Sequence, residues 1–249
     1  MALQEEFEVQ GNFLFRYRSF LPIIIVVVGL LVFVLNRISA SYSPQLNYQI
    51  LEFISLAVSL FGLLIRIYTV GHTPAKTSGR NTKEGQLAEE LNQTGIYSTV
   101  RHPLYLGNFF MWLGAAILCE NVWFVVAFSL MYWVYYERIM YAEEQFLRRK
   151  FGASYTDWAA KTSAFIPSFK QFIKPKYQFS LKKVLKREKN GLLAIFVLLF
   201  IFHNIGYSFE NQKIAIDCNW ICIGTVLSGI FYIVIKQLQK FKVLHEQGR

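Results

Sequence analysis

The sequence GIYSTVRHPLYLG, residues 95–107, leads directly into an apolar segment, Phe109–Cys119, and this junction decides the expected fold. Only residues 120–121 separate that segment from a second apolar block, so the two blocks are predicted to form a tight helical hairpin. A second charged cluster, Glu137-Arg138 followed by Glu143-Glu144, begins where the second block ends. Two polar clusters that meet at one membrane surface indicate a site for one water-soluble and one lipid-soluble reactant.

Six apolar blocks indicate that the chain crosses a membrane. The composition is 54% hydrophobic and 17% charged, whereas soluble domains carry about 25% charged residues. A soluble protein with buried core helices is the alternative, but six such blocks exceed what one core can bury. We therefore expect an all-α polytopic membrane protein with about six transmembrane helices. The predicted spans are Phe20–Leu35, Tyr48–Tyr68, Leu104–Cys119, Val122–Tyr136, Leu192–Tyr207 and Cys218–Ile235.

Basic residues alternate between the predicted loops and set the expected orientation. The net charge is +10, and Lys and Arg cluster at both termini, in the loop after the second span and between Arg148 and Lys189. The intervening loops carry one basic residue or none. The positive-inside rule then places both termini and the basic loops in the cytoplasm. Nucleic-acid binding is the other explanation of a basic chain, but no groove-reading motif accompanies the charge.

Polar and basic stretches divide the chain into four predicted units. N-terminal membrane helices occupy residues 1–70, and the hairpin with its flanking polar clusters occupies residues 71–169. Residues 170–191 interleave Lys and Arg with aromatic and aliphatic residues, which predicts an amphipathic segment on the lipid surface. A solvated linker is the alternative for that segment. Residues 192–249 are predicted to form a C-terminal transmembrane hairpin and a tail.

The polar run before the hairpin favours a helix N-terminus at the membrane surface. Pro103 fits the first helical turn, where its missing N–H is harmless. The free N–H groups of that turn would face the predicted cytoplasmic side and favour anionic or electron-rich ligand groups. The alternative role for Arg101 and His102 is to anchor the helix at the membrane interface. The charged cluster of residues 137–144 has the same alternative, in which its side chains only extend toward the water at the end of the span.

Two ionisable residues fall inside predicted spans. Glu52 in the second span is a candidate functional residue, because a charge inside a bilayer is costly, although a position near the interface is the alternative. His203 in the fifth span is predicted to be a packed residue or to form an interhelical hydrogen bond rather than to relay protons. The four histidines have no ligand spacing, so no metal site is predicted.

The two polar clusters together resemble the isoprenylcysteine carboxyl methyltransferase and phospholipid methyltransferase superfamily of integral-membrane enzymes. The family pattern is G-x-Y-x-x-x-R-H-P-x-Y-x-G, a helical hairpin, E-E-x-x-L, F-G-x-x-Y and a terminal I-P. The resemblance covers about residues 88–168 and keeps order and spacing. The matching residues are Gly95, Tyr97, Arg101, His102, Pro103, Tyr105, Gly107, Glu143, Glu144, Leu147, Phe151, Gly152, Tyr155, Ile166 and Pro167.

The resemblance implies S-adenosylmethionine as the methyl donor, held between the cytoplasmic ends of the hairpin helices and the tail that follows. Glu143 is expected to serve both the cofactor and catalysis. Arg138 or Arg101 is expected to hold an anionic acceptor, because arginine presents a bidentate fork to carboxylate or phosphate. Arg138 stands one residue from the position of the family's substrate-contacting arginine. The implied cofactor-binding residues are Leu91, Asn92, Tyr97, His102, Pro103, Leu104, Tyr105 and Glu143.

The acceptor is predicted from weaker features. The loop Thr77–Asn81, the run Gly11–Pro22 and the appended C-terminal hairpin resemble the bacterial lipid A 1-phosphate methyltransferase branch. That resemblance implies O-methylation of a lipid phosphate at the cytoplasmic leaflet of a bacterial inner membrane, where the basic segment would suit a polyanionic headgroup. A prenylcysteine carboxylate and a phosphatidylethanolamine amine are the alternatives, and a non-enzymatic transporter or scaffold is the remote one.

Overall fold

Eight α-helices make up the part of the chain that the computed structural model describes, namely residues 2–39, 47–74, 86 and 88–244. The all-α prediction is confirmed. The predicted loop Thr77–Asn81 lies outside the described residues. The helices are α1 (Leu3–Tyr17), α2 (Leu21–Ile38), α3 (Tyr48–Gly71), α4 (Pro103–Ile117), α5 (Val122–Phe151), α6 (Ala153–Ala159), α7 (Leu181–Glu210) and α8 (Trp220–Lys240).

The central hairpin of α4 and α5 has the sequence signals that its ends require. Pro103 occupies the first turn of α4, as predicted. After Ile117 the chain turns, and the Asn121 side chain accepts a hydrogen bond from the Phe124 N–H at 2.9 Å. This N-cap satisfies one of the backbone donors that a helix start leaves free. The turn therefore reverses the chain, so that α5 runs back along α4.

The second hairpin helix continues well beyond its predicted span, which was expected to end at Tyr136. It runs to Phe151 and stops at Gly152, whose φ of +53° is a conformation that favours glycine. The extension carries Glu143 and Glu144 past the apolar half of the helix. This extra length brings the second charged cluster over the start of α4.

Small residues allow α3 and α4 to pack closely. A Cβ atom at Gly107 would lie 2.8 Å from the Gly62 carbonyl oxygen, so neither glycine has room for a side chain. Ser55 Oγ donates a hydrogen bond to the Gly114 carbonyl at 2.8 Å. Small residues and hydroxyl-to-backbone hydrogen bonds are typical of helix pairs in membranes, where burial from water supplies no drive for association.

Two apolar clusters surround this helix pair. One lies between α1, α4 and α5 and contains the buried rings of Phe15 and Phe128. The other lies between α2, α3, α4, α7 and α8 and contains Phe33 and Phe202, with Met111 of α4 packed against it. Because α4 contributes to both clusters, it is the central helix of the bundle.

A polar network joins α3, α7 and the connection before α8. His203 Nδ1 lies 2.6 Å from Glu52 Oε1, and His203 Nε2 lies 3.0 Å from Asp217 Oδ2. Glu52 is 1% exposed. His203 of α7 thus forms an interhelical hydrogen bond with Glu52 of α3, as predicted. This pairing matters because a buried carboxylate such as that of Glu52 would be costly without a partner.

The predicted count of six spans is not confirmed. Among the described residues, α3, α7 and α8 are long and apolar enough to cross a membrane. The pair α1 and α2, bent by 76°, adds a fourth span if it is counted as one. The apolar α4 has only 15 residues, short of the roughly 20 that a bilayer needs, and α5 carries charged residues along its second half. The cytoplasmic placement of both termini stays a prediction.

Helix α7 crosses a predicted boundary, because it runs without a break from Leu181 to Glu210. The predicted basic segment 170–191 therefore consists of an irregular stretch and the first turns of α7. These turns are partly buried, with Val184 and Glu188 inside the protein. The division of the chain into four units stays a prediction.

Replacing Gly62 with alanine is expected to destabilise the bundle by about 1–3 kcal/mol, the usual cost of overpacking. The new Cβ would lie 2.6 Å from the Met111 backbone nitrogen, so α3 and α4 would have to separate. Gly229→Ala in α8 is the matched control, since nothing lies within 4 Å of its Cβ position. Thermal unfolding in detergent measures both, and equal melting temperatures would contradict the close packing.

Candidate functional site

The segment before α4 is fixed by the chain that follows α6. Gly95 N–H donates a hydrogen bond to the Ile173 carbonyl at 2.9 Å, and Arg101 N–H donates to the Ser163 carbonyl at 2.8 Å. Gly95 adopts a φ of +64°, which an L side chain rarely allows. These bonds hold the motif segment in place, so that His102 and the N-terminus of α4 face α5.

Glu144 clamps this segment to α5. Its Oε1 atom accepts hydrogen bonds from Arg101 Nε and His102 Nε2, both at 2.8 Å. Arg101 Nη1 also donates to the carbonyls of Ala159, at 2.8 Å, and Thr162. Arg101 is therefore committed to holding the loop.

The electrostatics of the clamp favour an ionised carboxylate. Burial raises the pKa of Glu144, but the hydrogen bond and charge of His102 and the charge of Arg101 outweigh it and lower this pKa to about 2. Tyr155 lies beside the clamp, and burial together with the Glu144 carboxylate raises the pKa of its phenol. Glu144 thus stays charged and Tyr155 stays protonated across the physiological range.

Glu143, the neighbouring carboxylate, has a different environment. Its Oε2 atom accepts a hydrogen bond from the Tyr105 hydroxyl at 2.9 Å and lies 3.8 Å from His102 Nδ1. The His102 ring stacks on the Tyr105 ring, with centroids 5.6 Å apart. Burial and the Glu143 charge raise the pKa of Tyr97. Two tyrosines and a histidine therefore surround the Glu143 carboxylate.

A cavity of about 320 Å³ opens beside Glu143. Its volume falls at the lower end of the range that small-molecule sites occupy, roughly 300–1,000 Å³. The walls come from α1, α3, α4, α5, α6, α7 and the segment before α4. It brings together nine of the ten predicted site residues: Leu91, Asn92, Tyr97, Arg101, His102, Pro103, Leu104, Tyr105 and Glu143.

The tenth predicted residue, Arg138, lies away from the cavity. Its guanidinium lies over the Phe7 ring of α1, 3.4 Å from the ring centroid, and pairs with Glu137 at 3.2 Å. Five residues separate Arg138 from Glu143, and this interval turns a side chain by roughly 140° around a helix. The two side chains therefore point to different faces of α5, and a role for Arg138 toward a ligand in the cavity stays an untested prediction.

Sequence reasoning missed a charged group on the opposite wall. Arg66 of α3 forms a bidentate pair with Glu188 of α7, with both N–O distances at 2.8 Å. Arg66 Nη1 also donates a hydrogen bond to Asn108 Oδ1 of α4 at 2.6 Å. An arginine inside a predicted span was a usable signal for Arg66. Glu188 gave no signal, because it stands in a basic stretch far along the chain.

The arrangement suits a ligand with charges of both signs. Glu143, beside the rings of Tyr97 and Tyr105, offers a carboxylate and aromatic faces to a cation. Arg66 and Arg187 also line the cavity, where Arg66 is paired with Glu188. The cavity thus contains both carboxylates and guanidinium groups.

Residues 51–154 match the family model described as phospholipid methyltransferase. This match, together with the curated relatives below, supports the predicted resemblance to the isoprenylcysteine carboxyl methyltransferase and phospholipid methyltransferase superfamily. The matched region includes α4, α5 and most of α3, together with the segment that carries His102 and the clamp residue Glu144. It ends before α7, so Arg187 and Glu188 reach the cavity from outside it.

Three curated relatives illustrate the similarity. A probable protein-S-isoprenylcysteine O-methyltransferase of Oryza sativa subsp. indica is 31% identical over 133 residues, which cover 50% of this chain and 65% of the relative. The protein-S-isoprenylcysteine O-methyltransferase of Saccharomyces cerevisiae is 32% identical over 103 residues, covering 41% and 42%. The nickel-cobalt-cadmium resistance protein NccN of Alcaligenes xylosoxydans xylosoxydans is 33% identical over 88 residues, covering 35% and 41%. The chain thus spans less than two thirds of each relative, and no solved structure matches it significantly.

Replacing Glu144 with alanine is expected to destabilise the protein by about 2–4 kcal/mol, because Arg101 and His102 would keep their burial and lose their partner. Glu137→Ala is the matched control, since this glutamate lies on the same helix with half of its side chain exposed. Chemical unfolding of both variants measures the difference. Equal losses would contradict the clamp.

The clamp also predicts a specific acid dependence. The folded pKa of Glu144 is about 2 and its ordinary value is 4.5. Its contribution should therefore be complete above about pH 4.5 and be lost as the pH falls toward 2. Glu144→Gln should lack this part of the acid loss. Parallel stability curves for wild type and Glu144→Gln across that window would exclude the ion pair.

Proposed function

We propose that this protein is a membrane methyltransferase that uses S-adenosylmethionine to methylate an anionic oxygen of a lipid. The observation that carries the proposal is the cavity in which motif residues from three parts of the chain, Asn92, His102 and Glu143, converge. Helices long enough to cross a membrane form part of its walls. We place the protein in the cytoplasmic membrane of a bacterium, with the cavity facing the cytoplasm.

The residues present fit this cofactor. S-adenosylmethionine, when bound, supplies an electrophilic methyl group on a positively charged sulfur. Glu143, with the aromatic faces of Tyr97 and Tyr105, is a suitable environment for that charge. Apolar side chains of the same cavity, among them Val70 and Phe146, suit the flat adenosine part. The donor pocket therefore uses the side of the cavity that the matched domain builds.

Positioning is the main contribution that these residues can make. A phosphate or carboxylate acceptor is already ionised at neutral pH, so no general base is required. Glu144 orients His102, and Tyr105 orients Glu143, so the donor side is held rigidly before a ligand enters. We assign the acceptor anion to the wall that α3 and α7 form, where Arg66 and Arg187 add two guanidinium groups beside the single carboxylate of Glu188.

The acceptor is proposed to be a lipid phosphate, most specifically the 1-phosphate of lipid A. The supporting observation is that α7 adds Arg187 to the cavity wall and continues the basic segment 170–191. A prenylcysteine carboxylate is the second candidate, because the relatives in rice and yeast are named protein-S-isoprenylcysteine O-methyltransferases. Both acceptors are anionic oxygens on lipid-soluble molecules, so both fit the same division of the cavity.

Purified protein is expected to bind S-adenosylmethionine saturably in isothermal titration calorimetry. Glu143→Ala should weaken this binding roughly tenfold or more, because the carboxylate that faces the cation is lost. Arg138→Ala is the control, since Arg138 lies on another face of the same helix. A folded wild-type sample that binds no S-adenosylmethionine would refute the proposed function. Equal affinity of both variants for S-adenosylmethionine would show that the Glu143 carboxylate does not contribute to cofactor binding.

Deleting the gene in its host should remove one methyl group from a phosphate-bearing glycolipid. Mass spectrometry of extracted lipids would then show a loss equal in mass to one methylene unit. A change confined to phosphatidylethanolamine derivatives would instead indicate N-methylation. An unchanged lipidome, with loss of a methyl ester from a prenylated protein or peptide, would favour the prenylcysteine acceptor.

A further inference from the structure

His203 of α7 stands at the centre of a polar group that the proposed methyl transfer does not use. It lies fifteen residues beyond Glu188, which is about 22 Å along an unbroken helix. Its side chain is 13% exposed, and that of its partner Glu52 is 1% exposed. The side chain of Asp217, its other partner, is 36% exposed. Asp217 is thus the member of the group that contacts water.

The Nδ1 atom of His203 has the same role in every charge state of the ring. It lies 2.6 Å from Glu52 Oε1, and a carboxylate only accepts hydrogen bonds. Nδ1 therefore carries a proton whether the imidazole is neutral or charged. The charge of the ring is then decided at Nε2 alone.

The Nε2 atom faces two groups of opposite character. Asp217 Oδ2 lies 3.0 Å away, and as a carboxylate oxygen it accepts a hydrogen bond. Asn219 Nδ2 lies 2.8 Å away and can only donate one. The orientation of this amide is fixed, because Asn219 Oδ1 accepts hydrogen bonds from the N–H groups of Ile221, at 2.8 Å, and Cys222, at 3.4 Å. One ring nitrogen thus stands between a hydrogen-bond donor and an acceptor.

Each protonation state of His203 satisfies one of these two groups. When Nε2 carries a proton, it donates to Asp217, and its N–H opposes the N–H of Asn219. When Nε2 is unprotonated, its lone pair accepts from Asn219, and the Asp217 carboxylate loses its hydrogen-bond donor. Nε2 has a partner in both states, so it can hold or release a proton without becoming an unsatisfied buried nitrogen.

The two competing groups belong to the short connection that leads from α7 into α8. Asn219 is the N-cap of α8, so its side chain is tied to that helix. The Asp217 N–H donates a hydrogen bond to Asn204 Oδ1 at 2.8 Å, so its backbone is tied to α7. Cys218 lies between them and is exposed. A change of partner at Nε2 is therefore expected to move the start of α8 relative to α7.

Other titratable side chains of the packed elements contribute to the field at His203. The Arg37 guanidinium is paired with the carboxylates of Glu120, at 2.8 Å, and Glu210, at 3.2 Å. The Tyr207 ring stacks on the imidazole, with centroids 6.3 Å apart. Because Arg37 is already paired with two carboxylates, Asp217 and Asn219 are the groups that exchange contact with Nε2. These titratable neighbours are Arg37 of α2, Tyr48 of α3, Glu120 of the hairpin turn, Tyr207 and Glu210 of α7, Cys218 of the connection and Cys222 of α8.

We propose that His203 Nε2 is a proton-binding site whose occupancy moves the hydrogen bond of the ring between Asp217 and Asn219. Proton binding draws Asp217 in and releases Asn219, and proton loss does the reverse. Because Nδ1 keeps its proton, the ring exchanges protons with water from the Asp217 side and does not pass them across the membrane. The start of α8 thereby responds to pH, independently of any methyl donor or acceptor.

Nitrogen-15 NMR of the histidine-labelled full chain in nanodiscs tests the site directly. Between about pH 5 and pH 9, the range in which histidines titrate, the Nε2 signal of His203 should pass from protonated to unprotonated. The Nδ1 signal should stay protonated throughout. His203→Gln identifies both signals by removing them. A ring that keeps one protonation state over the whole range would overturn the proposal.

Two matched variants should shift this titration in opposite directions. Asp217→Asn removes the acceptor that the charged ring uses, so Nε2 should release its proton at lower pH. Asn219→Ser keeps a residue that caps helices but removes the N–H that the neutral ring uses, so release should require higher pH. Each variant should change the proton affinity roughly tenfold. Unchanged titration in both folded variants, or shifts of the same sign, would refute the competition at Nε2.

A spin label on Cys218 measures the coupling to α8. Cys222→Ser is the background, so that Cys218 is labelled, and Cys119 is buried. The mobility of the label should change with the same midpoint as the Nε2 signal and should be independent of pH after His203→Gln. Titration of Nε2 with constant label mobility would overturn the coupling. The wild-type titration and the label keep the test decisive if Asp217→Asn or Asn219→Ser does not fold.

Discussion

The Glu144 carboxylate holds the candidate site together, because it binds Arg101 and His102 through one oxygen atom. This contact joins the start of α4 to the extension of α5, two elements that the hairpin turn connects only at their far ends. Adjacent residues on a helix point about 100° apart. When Glu144 faces the motif segment, Glu143 must therefore face elsewhere, and it faces the cavity. The double glutamate thus divides into a residue that holds the motif segment and a residue that faces the cavity.

Close packing of α3 against α4 depends on glycine at positions 62 and 107 and places Arg66 beside the same cavity. An isolated guanidinium at this position would be costly, and Glu188 of α7 neutralises it with two hydrogen bonds. The charge on one wall therefore requires a helix that arrives more than a hundred residues later in the chain. Helix α7 is accordingly part of the cavity as well as part of the bundle.

The sequence predicted best those parts of the fold and the site that depend on contacts between neighbouring residues or on a recognisable motif. Pro103 and the short turn predicted the hairpin, and the family resemblance predicted nine of the residues that line the cavity. Arg138 was predicted from the family alignment, although its five-residue interval from Glu143 already indicated that the two residues do not share one face of a helix, and in the structure its guanidinium lies over Phe7. The count of six spans is not confirmed, because apolar blocks show where helices lie but not their full lengths, and α5 extends far past its apolar part. Glu188 was missed because its partner Arg66 is distant in sequence.

The two walls of the cavity have different origins, and this difference has a chemical consequence. His102, Tyr105 and Glu143, which face the proposed donor, lie in the matched region 51–154. Glu188 and Arg187, on the proposed acceptor side, lie on α7 outside it. The proposed donor requires one fixed geometry for methyl transfer, whereas the two proposed acceptors, a lipid phosphate and a prenylcysteine carboxylate, differ in shape and charge. A cavity built in this way lets the acceptor wall change its charge and shape without disturbing the carboxylate clamp that orients the donor side.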